Sequence, residues 1–225
     1  MNLRLLLLDS QEVEAVMSLD MRKNTRHKRI GIFGGTFDPV HVGHLIAAVN
    51  AKAGAALDLV LLVVANIPWQ KEGTRNLSDA NTRFALVEAA VDGVEGLEAS
   101  NCEIVRGGPS YTIDTVTDIG LKYPGAELFL IVGADAAKEI ESWERSETLA
   151  ELVTLVIVNR PGSWVGRSEV ARWQTLFVEV PAIDISSTDI RARVREKRPL
   201  DYILTKETIS YIRASGLYLD EHYNP

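Results

Sequence analysis

The chain has 225 residues, of which 46% are hydrophobic and 24% charged, as is usual for a soluble globular protein. Its formal charge of −7 gives no reason to expect nucleic-acid binding, so any polyanion would need a local concentration of positive groups. The single cysteine, Cys102, excludes an internal disulfide and a cysteine zinc cluster, and no motif surrounds it. No apolar run reaches the ~20 residues of a membrane span. These features predict a cytoplasmic protein without a membrane segment.

The first 28 residues differ from the rest of the chain. The run "MRKNTRHKR" is basic and has no interleaved aromatic residues, which favours a solvated segment over a nucleic-acid-binding arm. The regular pattern begins at Arg29, and Met21 is an alternative start. We therefore predict a flexible N-terminal extension over residues 1–28 and one domain over residues 29–225.

From Arg29 onward, apolar runs alternate with helical patterns. The first half predicts strands at "RIGIF" and "LVLLVVA", the second buried on both faces, with a helix in "HLIAAVNAKAGAAL" between them. Ser78 is expected to cap a helix in "SDANTRFALVEAAV", with Asp79 in its first turn. The segments "LEAS" and "CEIV" are weaker strand candidates near residues 97–105.

The second half continues the alternation. It predicts a helix in "SYTIDTVTDIGLKY", a strand in "ELFLIVG", an interrupted helix in "DAAKEIESWERSETLAEL" and strands in "VTLVIVNR" and "LFVEVP". Two helices follow, from about Ser187 and from about Thr205, and Gly216 ends the second. The expected fold is α/β: a single-domain, doubly wound, Rossmann-like parallel sheet of the 3-2-1-4-5 order with C-terminal helices.

Two predicted strand ends carry small and polar residues. "GGTFDPVHVGH" follows Phe33, and "GADAAKEIESW" follows Val132. These would be strands one and four, which are neighbours where the strand order reverses, and ligands bind at that point in such sheets. Gly34 and Gly35 would let a phosphate or ribose approach the main chain, next to a helix N-terminus that favours an anion.

His41 and His44 are the candidate side chains for that anion. Each histidine alone is as readily explained by a structural hydrogen bond. Both together in a glycine-rich strand-to-helix turn indicate function. The turn is neither a P-loop nor a dinucleotide fingerprint, because it has neither the G-x-G-x-x-G spacing nor a G-K-[ST] sequence.

The motifs "HVGH", "GGTFDPVHVGH", "GGPSYTIDT", "VGADAAKEIESW" and "ISSTDIR", in this order, resemble the bacterial nicotinate-nucleotide adenylyltransferases, a family of H-x-G-H nucleotidyltransferases. The resemblance extends from Arg29 to about Leu219. It implies that ATP and nicotinate mononucleotide react to give nicotinate adenine dinucleotide and pyrophosphate. It also implies Mg²⁺ bound mainly through the ATP phosphates, with no dedicated metal site in the protein.

The resemblance assigns roles to individual residues. The catalytic residues would be His41, His44 and Arg191. The ATP-binding residues would be Gly34, Gly35, Thr36, Phe37, His41, His44, Gly133, Asp135, Ser186, Ser187, Thr188 and Arg191. The mononucleotide-binding residues would be Lys71, Tyr111, Thr112, Asp135 and Trp143.

Several of these residues have a structural alternative. Ser187 alone would be a helix cap, Trp143 ordinary packing and Lys71 a surface lysine. The family more often has a histidine before the lysine, where this chain has Gln70. A basic run after Arg191 is interpreted as a solvated helix surface; it comprises Arg193, Arg195, Lys197 and Arg198.

The substrate chemistry needs no general base, since a phosphate monoester with a second pKa of about 6 is already largely dianionic at neutral pH. Three alternatives stay open: a nicotinamide mononucleotide or a phosphopantetheine adenylyltransferase of the same superfamily, and a nucleotide sensor without catalysis. Neither the oligomeric state, with a homo-oligomer as one option, nor the preference for nicotinate over nicotinamide follows from the residues.

Overall fold

The computed structural model describes residues 28–68, 77–159 and 165–219, and within them one parallel sheet of six strands. The strand order is β3-β2-β1-β4-β5-β6. This confirms the predicted α/β fold and the predicted neighbours β1 and β4, and β6 extends the sheet beyond β5. The strands are β1 Arg29–Gly35, β2 Leu59–Val64, β3 Leu97–Ser100, β4 Glu127–Gly133, β5 Thr154–Asn159 and β6 Thr175–Glu179.

Helices connect the strands and follow the last one. They are α1 Val42–Gly54, α2 Ala80–Val91, α3 Cys102–Arg106, α4 Thr112–Lys122, α5 Ala134–Lys138, α6 Ser146–Leu152, α7 Ser187–Arg195 and α8 Lys206–Ser215. Two 3-10 turns lie at Ile140–Ser142 and Arg167–Val170. The turn between α5 and α6 is the interruption predicted in that segment.

Each face of the sheet has its own apolar core. All six residues of β2 are buried; alternate side chains point to opposite faces, so both faces are covered. Helices α1, α2, α7 and α8 cover one face, where Ala48 and Ile190 are completely buried. Helices α4, α5 and α6 cover the other face. The carboxyl ends of the strands are left open between these two layers.

Two local predictions were wrong. The segment "CEIV" is not a strand: β3 ends at Ser100, and Cys102–Arg106 forms α3, which Gly107 follows at a φ of 74°. Ser78 is not the N-cap of α2. Asp79 is, because its carboxylate accepts hydrogen bonds from Asn81 N and Thr82 N at 3.0 and 3.2 Å.

Other local predictions were confirmed. Thr205 caps α8 through a hydrogen bond from Thr208 N, and Gly216 ends it with a φ of 64°. Across the described ranges, no helix combines the length and the apolar character that a bilayer crossing requires. The predicted extension over residues 1–28 lies outside the described residues except for Lys28. The backbone N–H of Lys28, just before β1, donates to Asp58 Oδ2 at 2.8 Å.

Candidate functional site

Two cavities open at the carboxyl ends of β1 and β4. One, the α1 cavity, has a volume of about 200 Å³ and is bounded by Phe37, His44 and Ala47. The other, the α4 cavity, has a volume of about 210 Å³ and extends to Thr112 of α4 and to Trp143. Both include the ends of β1 and β4, and the residues that they share are Phe33, Gly34, Gly35 and Gly133. The site is therefore a crevice with two lobes that meet at a strip of glycines.

The two glycines at the end of β1 have different environments. A Cβ atom added at Gly34 would have nothing within 4 Å, so this backbone faces open space that a ligand can occupy. A Cβ atom at Gly35 would lie 2.7 Å from Phe37 Cζ. Glycine at position 35 is thus required by the packing of the Phe37 ring. Close ligand approach stays a prediction for Gly34.

His41 and His44 form a stacked pair at the start of α1. Their ring centroids are 3.7 Å apart with an interplanar angle of 31°. The backbone N–H of His41, the N-cap residue, donates to His44 Nδ1 at 3.2 Å. Because Nδ1 is the acceptor, neutral His44 carries its proton on Nε2. The backbone thereby fixes the tautomer of His44, which lines the α1 cavity.

Phe37 is 2% exposed and has a φ of 51°, in the left-handed region that residues with a Cβ atom rarely adopt. Its ring meets His44 edge to face at 5.1 Å. Such a conformation persists only where the surroundings hold it. Phe37, predicted to bind ATP, thus forms the wall that supports the His44 ring.

The segment from Phe37 to His41, which we call the histidine loop, is held by α7. Arg191 Nη1 donates to the carbonyl of Asp38 at 2.7 Å, and Ser187 Oγ donates to the carbonyl of Pro39 at 2.9 Å. Ser186 caps α7 by accepting from Asp189 N. The structure therefore brings the predicted Ser187 and Arg191 to the histidine loop. In addition to any contact with substrate, both side chains position that loop.

The Asp38 side chain, which sequence reasoning did not select, lies at the centre of the loop. It is 2% exposed, and its Oδ2 accepts from Ser78 N at 3.1 Å. Its Oδ1 accepts from the hydroxyl of Tyr218 at 2.7 Å. A buried carboxylate needs such donors. Asp38 thereby ties the loop to Ser78, the residue before the N-cap of α2, and to the C-terminal end of the described chain.

Arg83 of α2 is a second residue that the sequence did not reveal. It is 1% exposed, and it donates to three carbonyls: Ser78 at 2.9 Å, Thr36 at 2.8 Å and Asn66 at 3.1 Å. Thr36 follows β1, and Asn66 follows β2. One buried guanidinium therefore sets the relative position of two strand ends.

The α4 cavity combines an aromatic wall with polar groups. Trp143 and Ala136 line it, as does Thr112 at the first position of α4. Glu103 and Thr115 also line it. Thr115 ends the motif "GGPSYTIDT" but was not selected from it, and Glu103 lies in none of the motifs. Within the described residues, two buried atoms in this wall have no hydrogen-bond partner, Trp143 Nε1 and Glu103 Oε2.

Other predicted residues lie at the margin or outside the described chain. Tyr111 is the N-cap residue of α4, and Asp135 is exposed on α5; neither lines either cavity. Thr188 Oγ1 accepts from Arg191 Nη2 at 3.2 Å. Lys71, predicted to bind the mononucleotide, lies outside the described residues.

The basic run after Arg191 forms ion pairs at the surface. Arg193 and Arg198 both contact Asp189, at 2.6 and 3.2 Å. The hydrogen bond from Arg193 is the main cause that lowers the pKa of Asp189 below its ordinary value. These pairs agree with a solvated helix surface.

Neither a metal cluster nor an activated thiol is apparent in the described part of the chain. There, no three His, Cys, Asp or Glu side chains come together in a way that could hold a metal ion. Burial raises the pKa of the Cys102 thiol, which disfavours the reactive thiolate.

A parallel sheet with a two-lobed crevice at its central strand ends, beside a helix N-terminus, defines a nucleotide-binding α/β protein. The profile of the cytidylyltransferase-like family matches residues 32–193. A relative from Corynebacterium kroppenstedtii, described as a probable nicotinate-nucleotide adenylyltransferase, is 41% identical over 88% of this chain and 95% of its own length. One from Saccharopolyspora erythraea with the same description is 40% identical over 88% and 92%. The chain therefore belongs to the cytidylyltransferase-like family and, within it, to the nicotinate-nucleotide adenylyltransferases, as its motifs predicted.

Solved structures support the fold independently. The chain is similar to the Plasmodium falciparum nicotinic acid mononucleotide adenylyltransferase complexed with NaAD, with a TM-score of 0.70 and 20% identity. The similarity covers 88% of this chain and 99% of that one. At this level of identity, the likeness concerns the fold.

Proposed function

We propose that this protein transfers the adenylyl group of ATP to the phosphate of nicotinate mononucleotide, which gives nicotinate adenine dinucleotide and pyrophosphate. The observation that carries the proposal is the two-lobed crevice: two cavities of about 200 and 210 Å³ meet at Gly34 and Gly133. A reaction that joins two nucleotides needs two adjacent sites with the reacting phosphates at their junction. The relatives named above are described by this same activity.

We assign ATP to the α1 cavity. His44 would donate its Nε2 proton to an ATP phosphate oxygen, because its Nδ1 is occupied by the His41 N–H. The N-terminal amides of α1 and α7 add further positive potential. Arg191 would serve a double role: it holds the Asp38 carbonyl with one nitrogen and extends the positive surface beside the phosphates.

We assign the mononucleotide to the α4 cavity. Trp143 would stack on the pyridine ring, and the Thr112 hydroxyl and the first amides of α4 would donate to the nicotinate carboxylate. Asp135 and Tyr111 do not line the cavity in this structure, so their predicted contacts would require substrate to extend to the cavity rim. Lys71 remains a predicted phosphate ligand.

The proposed reaction is one direct displacement. A phosphate oxygen of the mononucleotide attacks the α-phosphorus of ATP, a new P–O bond forms, and the bond to the departing pyrophosphate breaks. The nucleophile is already ionised, so the protein contributes alignment and charge neutralisation. Alignment can be worth about 7–11 kcal/mol. Hydrogen-bond donors aimed at the leaving pyrophosphate supply a further part.

Transfer of a nucleotidyl group between phosphates is commonly assisted by a metal ion, and we propose that this protein uses Mg²⁺. The described residues offer no cluster of carboxylates at the crevice, and Mg²⁺ commonly takes most of its ligands from phosphates and water. The ion would therefore enter with ATP and neutralise phosphate charge. The protein would act on the same phosphates through His44 and Arg191. Action in the cytoplasm, without nucleic acid, stays a prediction from composition.

The test is pyrophosphate release with ATP and Mg²⁺ in the presence of nicotinate mononucleotide, nicotinamide mononucleotide or phosphopantetheine, each in a separate reaction. We expect the highest kcat/KM with nicotinate mononucleotide and a dinucleotide product by mass spectrometry. Activity with phosphopantetheine alone would contradict the substrate assignment. ATP binding without pyrophosphate release from any substrate would support a sensor.

A further inference from the structure

The α4 cavity contains a buried carboxylate with an unused acceptor. Glu103 is 6% exposed, and its Oε2 has no hydrogen-bond partner in the described structure. Buried polar atoms are nearly always paired, and an unpaired one indicates a missing ligand or water. Glu103 lines the cavity, so the missing group can be a bound ligand.

A chain of hydrogen bonds orients the Glu103 carboxylate. The Thr115 hydroxyl donates to Glu103 Oε1 at 2.5 Å, and Arg106 Nη2 donates to Thr115 Oγ1 at 3.3 Å. Arg106 Nη1 in turn contacts Asp118 at 2.5 Å. The ion-pair partner of Arg106 is thus Asp118, which is more exposed than Glu103. Oε1 is occupied by this chain of contacts, whereas Oε2 is buried and has no hydrogen-bond partner among the described residues.

We propose that Glu103 is a specificity-determining residue that recognises the positive charge of the pyridinium ring of the mononucleotide. This inference rests on the proposed function. In a pyridine mononucleotide the ring nitrogen is bonded to ribose, so the ring is a delocalised cation. A buried carboxylate attracts such a cation more strongly than a solvated carboxylate would, because the local dielectric is low. The face of Trp143 in the same cavity attracts a cationic ring as well.

The pyridinium ring and its carboxylate substituent carry opposite charges, so Glu103 would attract one and repel the other. The nicotinate carboxylate is an anion, which Glu103 would repel, so we place that substituent against the proposed donors, the Thr112 hydroxyl and the first amides of α4, and not against Glu103. The charged ring, and not its substituent, then lies nearest the Glu103 carboxylate. A ring of the same size without the positive charge should therefore bind less well.

The 1,4-dihydropyridine form of nicotinate mononucleotide is that neutral probe. The experiment measures Kd by calorimetry, and kcat/KM at saturating ATP, for the oxidised and the reduced mononucleotide. We expect the wild-type protein to prefer the oxidised form by about ten-fold or more. Glu103→Gln removes the charge and keeps an oxygen for Thr115, so most of that preference should be lost, through KM rather than kcat. The KM for ATP should be unchanged.

Asp118→Asn is the matched control. It neutralises a carboxylate that belongs to the same chain of hydrogen bonds but does not line the cavity. It should keep the preference for the oxidised ring. Glu103→Met supplies a second neutral side chain should Glu103→Gln fail to fold, and it should behave as Glu103→Gln does.

Three results would overturn the inference: no preference in the wild-type protein, an unchanged preference in the neutral Glu103 variants, or an equal loss in Asp118→Asn. Failure of the wild-type protein to bind any pyridine mononucleotide would instead overturn the proposed function, and the inference with it. The wild-type binding measurement therefore distinguishes the two failures.

Discussion

The hydroxyl of Tyr218 donates a 2.7 Å hydrogen bond to Asp38 Oδ1, across a separation of 180 positions in the chain. Tyr218 is 1% exposed, and Asp38 belongs to the loop that ends at His41. The carbonyl of Asp38 also accepts from Arg191. The C-terminal end of the described chain thus helps to hold the loop that presents the histidines.

Tyr218→Phe tests this contact. The substitution leaves the ring in place but removes a donor from a buried carboxylate, which should lower the free energy of unfolding by about 1–3 kcal/mol. Urea denaturation measures the change. Tyr202→Phe is the control, because Tyr202 is 95% exposed and its loss should change stability little. Equal stability of Tyr218→Phe and wild type would show that the hydrogen bond contributes nothing.

Arg83→Met should destabilise the protein and slow the reaction. It removes the donors of three carbonyls, so we expect a loss of about 3 kcal/mol or more in the free energy of unfolding. Since Thr36 directly follows Gly35 at the end of β1, kcat should fall as well. Arg83→Lys should have a stability and a kcat between those of the wild-type protein and of Arg83→Met. Arg193→Met removes a surface ion pair and should change stability little, as a control. If Arg83→Met and Arg193→Met lose similar amounts of stability, Arg83 does not hold the ends of β1 and β2 in place.

The fold could be predicted because its signals are local. Continuous apolar runs such as "LVLLVV" and the helical segments between them determine a parallel sheet, and the predicted adjacency of β1 and β4 placed the crevice. The error at Cys102–Arg106 has a physical reason as well. A short segment with isoleucine and valine suits a strand, but it lies outside the sheet beyond Ser100.

The candidate site was only partly predictable. The glycine-histidine loop and the α7 start stand out as contiguous motifs, and the structure brings Ser187 and Arg191 to that loop. Glu103 and Arg83 have no such motif, since their positions depend on contacts made by the folded chain. Arg83 reaches Thr36 across 47 positions. Contiguous sequence carries no signal for such a contact.

A pair of glycine variants separates ligand approach from packing. Gly34→Ala should keep wild-type stability, because nothing lies within 4 Å of the added Cβ, but should raise the KM for ATP. Gly35→Ala should lower the free energy of unfolding by about 1–3 kcal/mol, because its Cβ would meet the Phe37 ring at 2.7 Å. Thermal unfolding and ATP titration of both variants provide the comparison. A wild-type KM in Gly34→Ala would argue against phosphate binding at this strand end.

His44 combines two functions that different substitutions can separate. Its Nδ1 accepts from His41 N, and its Nε2 proton is the proposed donor to phosphate. His44→Ala should reduce kcat by on the order of two decades or more, as expected for a lost transition-state donor, and should cost about 1 kcal/mol in stability.

His44→Asn places an oxygen near the Nδ1 position, so it should restore stability but not turnover. His44→Gln places an amide nitrogen near the Nε2 position, so it should retain more activity than His44→Asn while it loses the backbone contact. Steady-state kinetics and denaturation of the three variants measure both quantities. If His44→Asn is as active as His44→Gln, the Nε2 proton is not the group that acts on the phosphates, and the histidine pair serves the loop alone.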